Sequence, residues 1–330
     1  LRQFVGDDMA RILQVQDPET IRVAVEALRR GEPVAMPTET VYGLAADATH
    51  PAAITAIYEA KGRPRFNPLI AHVSDIEMAR AHALFSPLAE RLAQAFWPGP
   101  LTLVLPLKTE GGIHELATAG LATVGLRVPQ GFARTLISAF GRPLAAPSAN
   151  RSGRISPTSA VHVAEDLKDR IDLVLDGGPC KVGVESTIIA VDGDKLTLLR
   201  PGGVPVEAIE EAAHGKVRRY ESGETGIIAP GMMRSHYAPE AKLRLNAVDV
   251  RPGEALLQFG AEPLSGEEQA SWARNLSPAG DLREAASNLF SFLKQADGNT
   301  KAGIAVAPIP MEGLGEAIND RLSRAAAPRD

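Results

Sequence analysis

Apolar residues in this chain fall into two kinds of block. Some recur every three or four positions, as on one face of a helix. Others form short unbroken runs, as in strands buried on both sides. Residues 17–31 are of the first kind: Ile21, Ala24, Val25 and Leu28 share a face, Asp17 is placed to cap the start, Pro18 suits the first turn and Gly31 ends it. The run from Pro33 to Met36 follows as a strand. Helical spacing recurs near 52–61, 75–84, 87–96, 131–140 and 158–169, and strand-like runs lie near 69–73, 101–106, 123–128, 143–146 and 172–176. Residues 186–191 and 195–200 flank Asp192-Gly193-Asp194, a hairpin turn. The hairpin and several short connections demand antiparallel pairs within an alternating order of strands and helices. The expected class is therefore α/β with a mixed, twisted sheet.

After a short helix near 205–213 the pattern stops. Residues 215–240 are polar and Gly-rich, contain Pro230 and Pro239, and show no period. A structureless connection of that length is usually functional or disordered. Beyond it, Ala255 to Phe259 reads as a strand, Leu282 to Leu293 as an amphipathic helix, Gly303 to Ile309 as a second strand and 314–326 as a final helix. That order predicts a small Rossmann-like unit with a right-handed crossover. The chain thus divides into a first α/β domain over 1–213, a linker over 214–241 and a C-terminal α/β domain over 242–330.

With 330 residues, 45% hydrophobic, the chain has enough apolar material for a core without staples. Its one cysteine, Cys180, excludes an intrachain disulfide or a cysteine metal cluster. No apolar run is long enough to cross a membrane. The first 20 residues carry Asp7, Asp8, Asp17 and Glu19 and no apolar block, so no leader is expected there, and residues ahead of Leu1 are left open. A cytoplasmic enzyme is the default expectation. The net charge of −5 argues against a general nucleic-acid binder. Yet residues 51–154 hold eleven Lys and Arg against six Asp and Glu, a local +5. Such a surplus suits a small anion better than a long polyanion, unless it is chance variation in surface charge.

Several segments carry polar groups where strands end. Pro37-Thr38-Glu39-Thr40-Val41-Tyr42-Gly43-Leu44 sets small donors after a strand, as a ligand site or as a plain turn with Thr–backbone bonds. Lys61-Gly62-Arg63-Pro64-Arg65-Phe66-Asn67-Pro68 offers three cations on a Pro-stiffened loop, suited to phosphate or simply solvated. Arg127, inside the apolar run 123–128, needs an anionic partner if buried, either a ligand or a structural carboxylate. Ala146-Pro147-Ser148-Ala149-Asn150-Arg151-Ser152-Gly153 with Ser156 is a loop leading to a helix start, a phosphate cradle or merely an N-cap. Gly183-Val184-Glu185-Ser186-Thr187 with Arg200, and Ser235-His236-Tyr237-Ala238-Pro239, are each compatible with ordinary turns. There is no Walker A loop, G-x-G-x-x-G, G-x-S-x-G or H-E-x-x-H, and the seven histidines include no i,i+4 pair, so no resident metal is expected.

In order along the chain, P-T-E-T-V-Y-G-L, K-G-R-P-R-F-N-P-L, F-W-P-G-P-L-T, S-A-N, E-S-T-I and H-Y-A-P together resemble the Sua5/YrdC family of threonylcarbamoyl-adenylate synthases, in its longer two-domain form. The resemblance implies a YrdC-like catalytic domain plus a Sua5-type C-terminal domain. It implies a nucleotidyltransferase that makes threonylcarbamoyl-AMP and pyrophosphate from L-threonine, bicarbonate or CO2 and ATP. Mg2+ would come with ATP. The product would pass to a tRNA threonylcarbamoyl-transferase for t6A37 modification, with no stable nucleic-acid complex and no membrane partner. By the same resemblance, Lys61, Arg63, Ser148 and Asn150 are the catalytic candidates. Thr40, His72, Arg127, Ala146 and Ser186 would surround threonine, with Arg127 on its carboxylate. Arg63, Asn67, Thr123, Ser148, Ser156, Arg200 and Tyr237 would hold the nucleotide, Tyr237 reaching in from a lid-like linker. The competing functions are an RNA-binding or ribosome-associated module, carbamoyl transfer, and a nucleotide sensor.

Overall fold

The computed structural model describes residues 10–108, 110–220, 229–231 and 236–328. Leu1, Asp7, Asp8 and Ser235 of the motifs above, and much of the proposed linker, lie outside the described residues. In chain order the elements are β1 (Arg11–Gln14), α1 (Glu19–Arg29), β2 (Val34–Met36), β3 (Gly43–Asp47), α2 (Pro51–Lys61), β4 (Ile70–His72), α3 (Ile76–His82) and α4 (Pro87–Phe96). They continue with β5 (Leu101–Pro106), α5 (Glu115–Thr118), β6 (Thr123–Arg127), α6 (Phe132–Phe140), β7 (Leu144–Ala145), α7 (Ala160–Leu167), β8 (Leu173–Asp176), β9 (Thr187–Asp192), β10 (Lys195–Arg200), α8 (Val206–Ala213) and β11 (Val217–Arg219). The C-terminal unit holds β12 (Leu243–Arg244), β13 (Ala255–Gln258), β14 (Trp272–Asn275), α9 (Leu282–Gly298), β15 (Ile304–Val306) and α10 (Leu314–Ala326).

Strands β1 to β11 form one mixed sheet in the order β1-β8-β2-β3-β7-β4-β6-β5-β9-β10-β11. It is apolar on both sides. Val34 and Met36 enter one cluster with α1 and α6, while Ala35 between them enters the other, with α2, α4 and α7. Both faces are therefore covered by helices, which is why these strands read as unbroken apolar runs. Local sequence sets the helix starts: Asp75, Ser86 and Ser159 each accept a backbone N–H of the first turn. At α1, which starts at Glu19, the cap position falls to Pro18 and not Asp17, although Asp17 still accepts the Glu19 N–H at 2.9 Å.

Five strands were not expected from the pattern: β1, β3, β11, β12 and β14. β3 pairs antiparallel with β2, so the segment Pro37–Tyr42 is the connection of a hairpin and not the end of an isolated strand. Its Gly-Leu-Ala-Ala core is too small and uniform to announce a strand. β11 adds to the sheet edge beside β10, inside the stretch expected to lack structure. β14 pairs parallel with β13 on the opposite side from β15, completing the parallel order β12-β15-β13-β14.

The two units share apolar packing. Val41 and Val184 of the large domain and Tyr237 of the linker belong to the same buried cluster as Leu289, Phe290, Ile318 and Leu322. Gly183 makes the approach possible. Its φ of +77° is in the left-handed region, and a Cβ there would sit 2.3 Å from the Ala286 carbonyl oxygen of α9. Gly183→Ala should therefore lower the unfolding free energy by ~2 kcal/mol or more through strain and separation of α9. Urea unfolding of the two proteins checks this, and an unchanged midpoint would refute the tight contact.

Candidate functional site

The central strands end around a cleft of about 570 Å³. Its walls come from the β2–β3 connection (Thr38, Thr40, Val41), β4 (Ile70, His72), β6 (Arg127), the segment after β7 (Ala146, Pro147, Ser148), the β9 approach (Glu185, Ser186) and the end of β10 (Arg200). Arg63 closes one side, and Pro230, Gly231, His236 and Tyr237 cover it from the linker. Residues separated by up to two hundred positions thus face one space.

Lys61 is fully buried and does not line the cleft wall. Its Nζ donates to the Ser148 carbonyl at 2.5 Å and to the Asn150 carbonyl. The K-x-R and S-A-N motifs are therefore one physical unit, with an ammonium tying the end of α2 to the loop after β7. Burial and the neighbouring Arg63 push the Lys61 ammonium well below its ordinary value. The same loop is pinned to the hairpin connection, since Ala149 donates its N–H to the Tyr42 carbonyl and Leu44 donates to the Pro147 carbonyl. Asn150 turns its amide into the loop, where Nδ2 donates to the Arg151 and Arg154 carbonyls at 2.8 Å.

Arg63 is bound through Nη2 to the Pro68 carbonyl at 3.0 Å. Burial lowers its pKa to about 10, which leaves it charged at neutral pH. Arg127 meets a structural carboxylate: Nη2 donates to Glu39 at 2.6 Å and Nε to the Gly99 carbonyl at 3.2 Å. Glu39 stands 88 positions from Arg127, and nothing in either motif alone signals that the two pair. Arg200 donates through Nε and Nη2 to the Ser186 carbonyl, at 3.2 and 2.8 Å. The Ser186 hydroxyl shares a 2.8 Å bond with Thr102. Thr40 shares one of 2.8 Å with Thr38.

Ser156 is beneath the wall, not on it. Its hydroxyl donates to Glu185 at 2.5 Å. Burial works against the charged form of Glu185, but Arg321, Arg200 and the Ser156 hydroxyl outweigh it and hold the carboxyl down to about 2. Thr123 lines a smaller adjoining space of about 270 Å³, which shares Ile70 and Pro230 with the main cleft. Asn67 is buried at the Arg63 loop outside both linings. Tyr237 is 1% exposed, with a φ of +61° and a hydroxyl that has no partner among the described residues. His72, pushed down to about 3 by burial and Arg127, and His236, pushed down to about 3 by burial, are both neutral. Cys180 is pushed up to about 12 by burial, so its thiol is no nucleophile. Among the described residues no three His, Cys, Asp or Glu side chains cluster as a metal site would require.

The comparisons with known proteins agree along the whole chain. A family model described as "Telomere recombination", covering Sua5, yciO and yrdC proteins, matches residues 26–202. A second, described as "Threonylcarbamoyl-AMP synthase, C-terminal domain", matches 204–327. The chain is 40% identical to a threonylcarbamoyl-AMP synthase of Bacillus subtilis, over 99% of this chain and 98% of that one. It is 42% identical to one of Pyrococcus abyssi, over 94% of each. Its fold matches the crystal structure of P. abyssi Sua5 complexed with L-threonine at a TM-score of 0.85, with 38% identity over 96% of this chain and 97% of that one.

The buried histidines make stability depend on pH. In the folded state His72 and His236 hold pKa values of about 3, far below 6.5. Below pH 6.5 the unfolded chain therefore binds more protons than the folded one, and stability falls as pH falls. Glu185, at about 2 when folded, acts in the same direction once pH drops under the usual carboxylate range. Unfolding free energy should be about 2–3 kcal/mol lower at pH 5.5 than at pH 7.5 from the two histidines alone. His236→Gln should remove about half of that difference. Equal slopes in the two proteins would contradict the neutral, buried state of His236.

Proposed function

The chain belongs to the Sua5/YrdC family, and on that footing we propose that it is an L-threonylcarbamoyladenylate synthase. In this role it joins L-threonine, bicarbonate or CO2, and ATP, and releases pyrophosphate. The observation that carries the proposal is the convergence of Arg63, Arg127 and Arg200 with the hydroxyls of Thr40, Ser148 and Ser186 on one cleft. That combination suits an anionic nucleotide and an amino acid, and the cleft supplies no nucleophile of its own.

None is required. The threonine amine takes up CO2, or bicarbonate with loss of water, and becomes a carbamate. One carbamate oxygen attacks the α-phosphorus, the bond from that phosphorus to the bridging oxygen breaks, and pyrophosphate leaves with the electron pair. The protein's task is orientation and charge neutralisation. Arg127 would take the threonine carboxylate. Glu39 accepts from its Nη2 and the Gly99 carbonyl from its Nε, which fixes the guanidinium for that contact. Thr40, the Ser186 hydroxyl, neutral His72 and the backbone of Ala146 would complete the threonine pocket. Arg63 and Arg200 would neutralise phosphate oxygens, with Ser148 beside them. Lys61 and Asn150 would act through the shape of the Ser148–Asn150 loop, and Lys61 would reach a phosphate only by releasing those carbonyls. Asn67, Thr123 and Tyr237 would border the nucleoside, Thr123 from the adjoining space.

Mg2+ would enter with ATP, its donors being phosphate oxygens, since Glu185 already serves Ser156 and Arg321. The linker over the cleft would exclude water from the carbamate and from the mixed anhydride product, both of which hydrolyse. A downstream tRNA threonylcarbamoyl-transferase is the fitting consumer of so labile a product. No helix of the described residues is long and apolar enough to cross a membrane, in keeping with substrates dissolved in water.

The test is pyrophosphate release from ATP and Mg2+, with and without L-threonine and bicarbonate. Release should require both. Release indifferent to threonine would reject the proposal. Arg63→Ala should cut the rate by ~100-fold or more, the scale of losing one electrostatic stabiliser. Lys61→Met should lower it similarly while keeping the helix end packed, and thermal unfolding of both should stay near the parent.

A further inference from the structure

The C-terminal domain places a buried charge directly behind the cleft wall. Arg321 of α10 is 1% exposed although it carries a charge. Its Nε donates to Glu185 at 2.7 Å, its Nη2 to the Pro201 carbonyl at 2.9 Å and its Nη1 to Asp320 at 2.6 Å. Its Cζ lies 5.2 Å from the centre of the Tyr237 ring. A single guanidinium therefore touches the approach to β9, the turn after β10 and the linker residue that covers the cleft.

Burying such a group is a poor way to gain stability, because the desolvation of both ions opposes their attraction and an apolar side chain of similar size often does as well. Position is the more telling property. Glu185 lines the cleft and precedes Ser186, whose carbonyl receives Arg200. Its second oxygen accepts the Ser156 hydroxyl. Tyr237 is held on its other side by Phe290 of α9, with ring centres 5.5 Å apart. The neighbouring His236 donates its N–H to the Arg324 carbonyl, again in α10. Tyr237 also adopts a left-handed backbone conformation that a non-glycine residue keeps only when its surroundings impose it. Phe290 of α9 and Arg321 of α10 pack against its ring, and the following Ala238 N–H is held by the Gly153 carbonyl.

We propose that Arg321 is a positioning residue for the adenylylation reaction, fixing the Glu185 carboxylate and seating Tyr237 over the nucleotide end of the cleft. The C-terminal domain is then part of the active site. This rests on the function proposed above. Arg321 itself does not line the cleft. Its effect runs through Tyr237 and Glu185, so it belongs to nucleotide affinity more than to the chemical step.

The test compares Arg321→Met, which keeps the volume, and Arg321→Lys, which keeps the charge but not the fork, with the full-length parent. ATP affinity is measured by calorimetry without threonine, and the KM for ATP and kcat by pyrophosphate release. Arg321→Met should weaken ATP binding and raise the KM for ATP by ~10-fold or more, with a smaller change in kcat and in the KM for threonine. Arg321→Lys should recover part of the loss. The double variant Arg321→Met with Tyr237→Phe serves as a control for packing, and Arg321→Met with Tyr237→Ala should be no worse than Tyr237→Ala alone if the two act as a unit. ATP affinity within twofold of the parent in folded Arg321→Met overturns the inference. If that variant does not fold, an unchanged ATP affinity in Arg321→Lys does so. Failure of the parent to depend on threonine would instead reject the proposed function, and the calorimetric comparison separates the two results.

Discussion

Four basic side chains around one cleft, Lys61, Arg63, Arg127 and Arg200, are each removed from water. Glu39 pairs directly with Arg127, whereas Glu185, on the cleft wall, pairs with Arg321 of the second domain. The rest of the positive charge is stabilised by backbone carbonyls: those of Ser148 and Asn150 for Lys61, Pro68 for Arg63, Gly99 for Arg127 and Ser186 for Arg200. Carbonyl dipoles can accept these donors but cannot cancel their charge, and moving an ion out of water costs several kcal/mol even after relaxation. An anionic ligand would repay part of that cost. The carbonyls must therefore be held rigidly, and the loops that carry them are fixed by the sheet, by each other and by the second domain.

The same constraint sorts the remaining ionisable groups. Neutral His72 adds no further positive charge beside Arg127. Glu185 keeps its negative charge because cations lie on two sides of it. Cys180, buried near the β2–β3 connection, stays a thiol. The cleft thus presents fixed charges and hydrogen-bond partners with few protons to exchange near neutral pH. That character fits a reaction in which the substrates supply both nucleophile and leaving group.

Much of this architecture is legible in the sequence. Helices α2, α4 and α10 and strands β5 and β10 fall where periodicity puts them, because each has a long apolar face or run and a clear stop. β3 is hidden because Gly43, Leu44, Ala45 and Ala46 are small and buried on both sides, so no alternation appears. β12 is two residues long, and β14 is a half-buried edge with a polar end. Most of the named site residues meet in one place, since they belong to motifs whose polar groups follow apolar strands. The pairings are less visible. Lys61 and the Ser148–Asn150 loop are distant in sequence, and either motif alone looks like a solvated turn. Arg321 left no trace at all. Within the run Asp320-Arg321-Leu322-Ser323-Arg324 it resembles any surface arginine, and only the docking of α10 against Glu185 reveals its burial.

Arg321 and Glu185 are 136 residues apart. Domains generally form in order as a chain is synthesised, the earlier one first. The large domain is complete in sequence once β11 has emerged, but at that moment Glu185 lacks the arginine that balances it. A buried carboxylate without its partner is costly, so the approach to β9 is expected to loosen until α10 arrives. The order of synthesis thus places assembly of the cleft after assembly of the sheet that supports it. A chain broken between β11 and α10 would keep its main core and lose the final setting of its cleft.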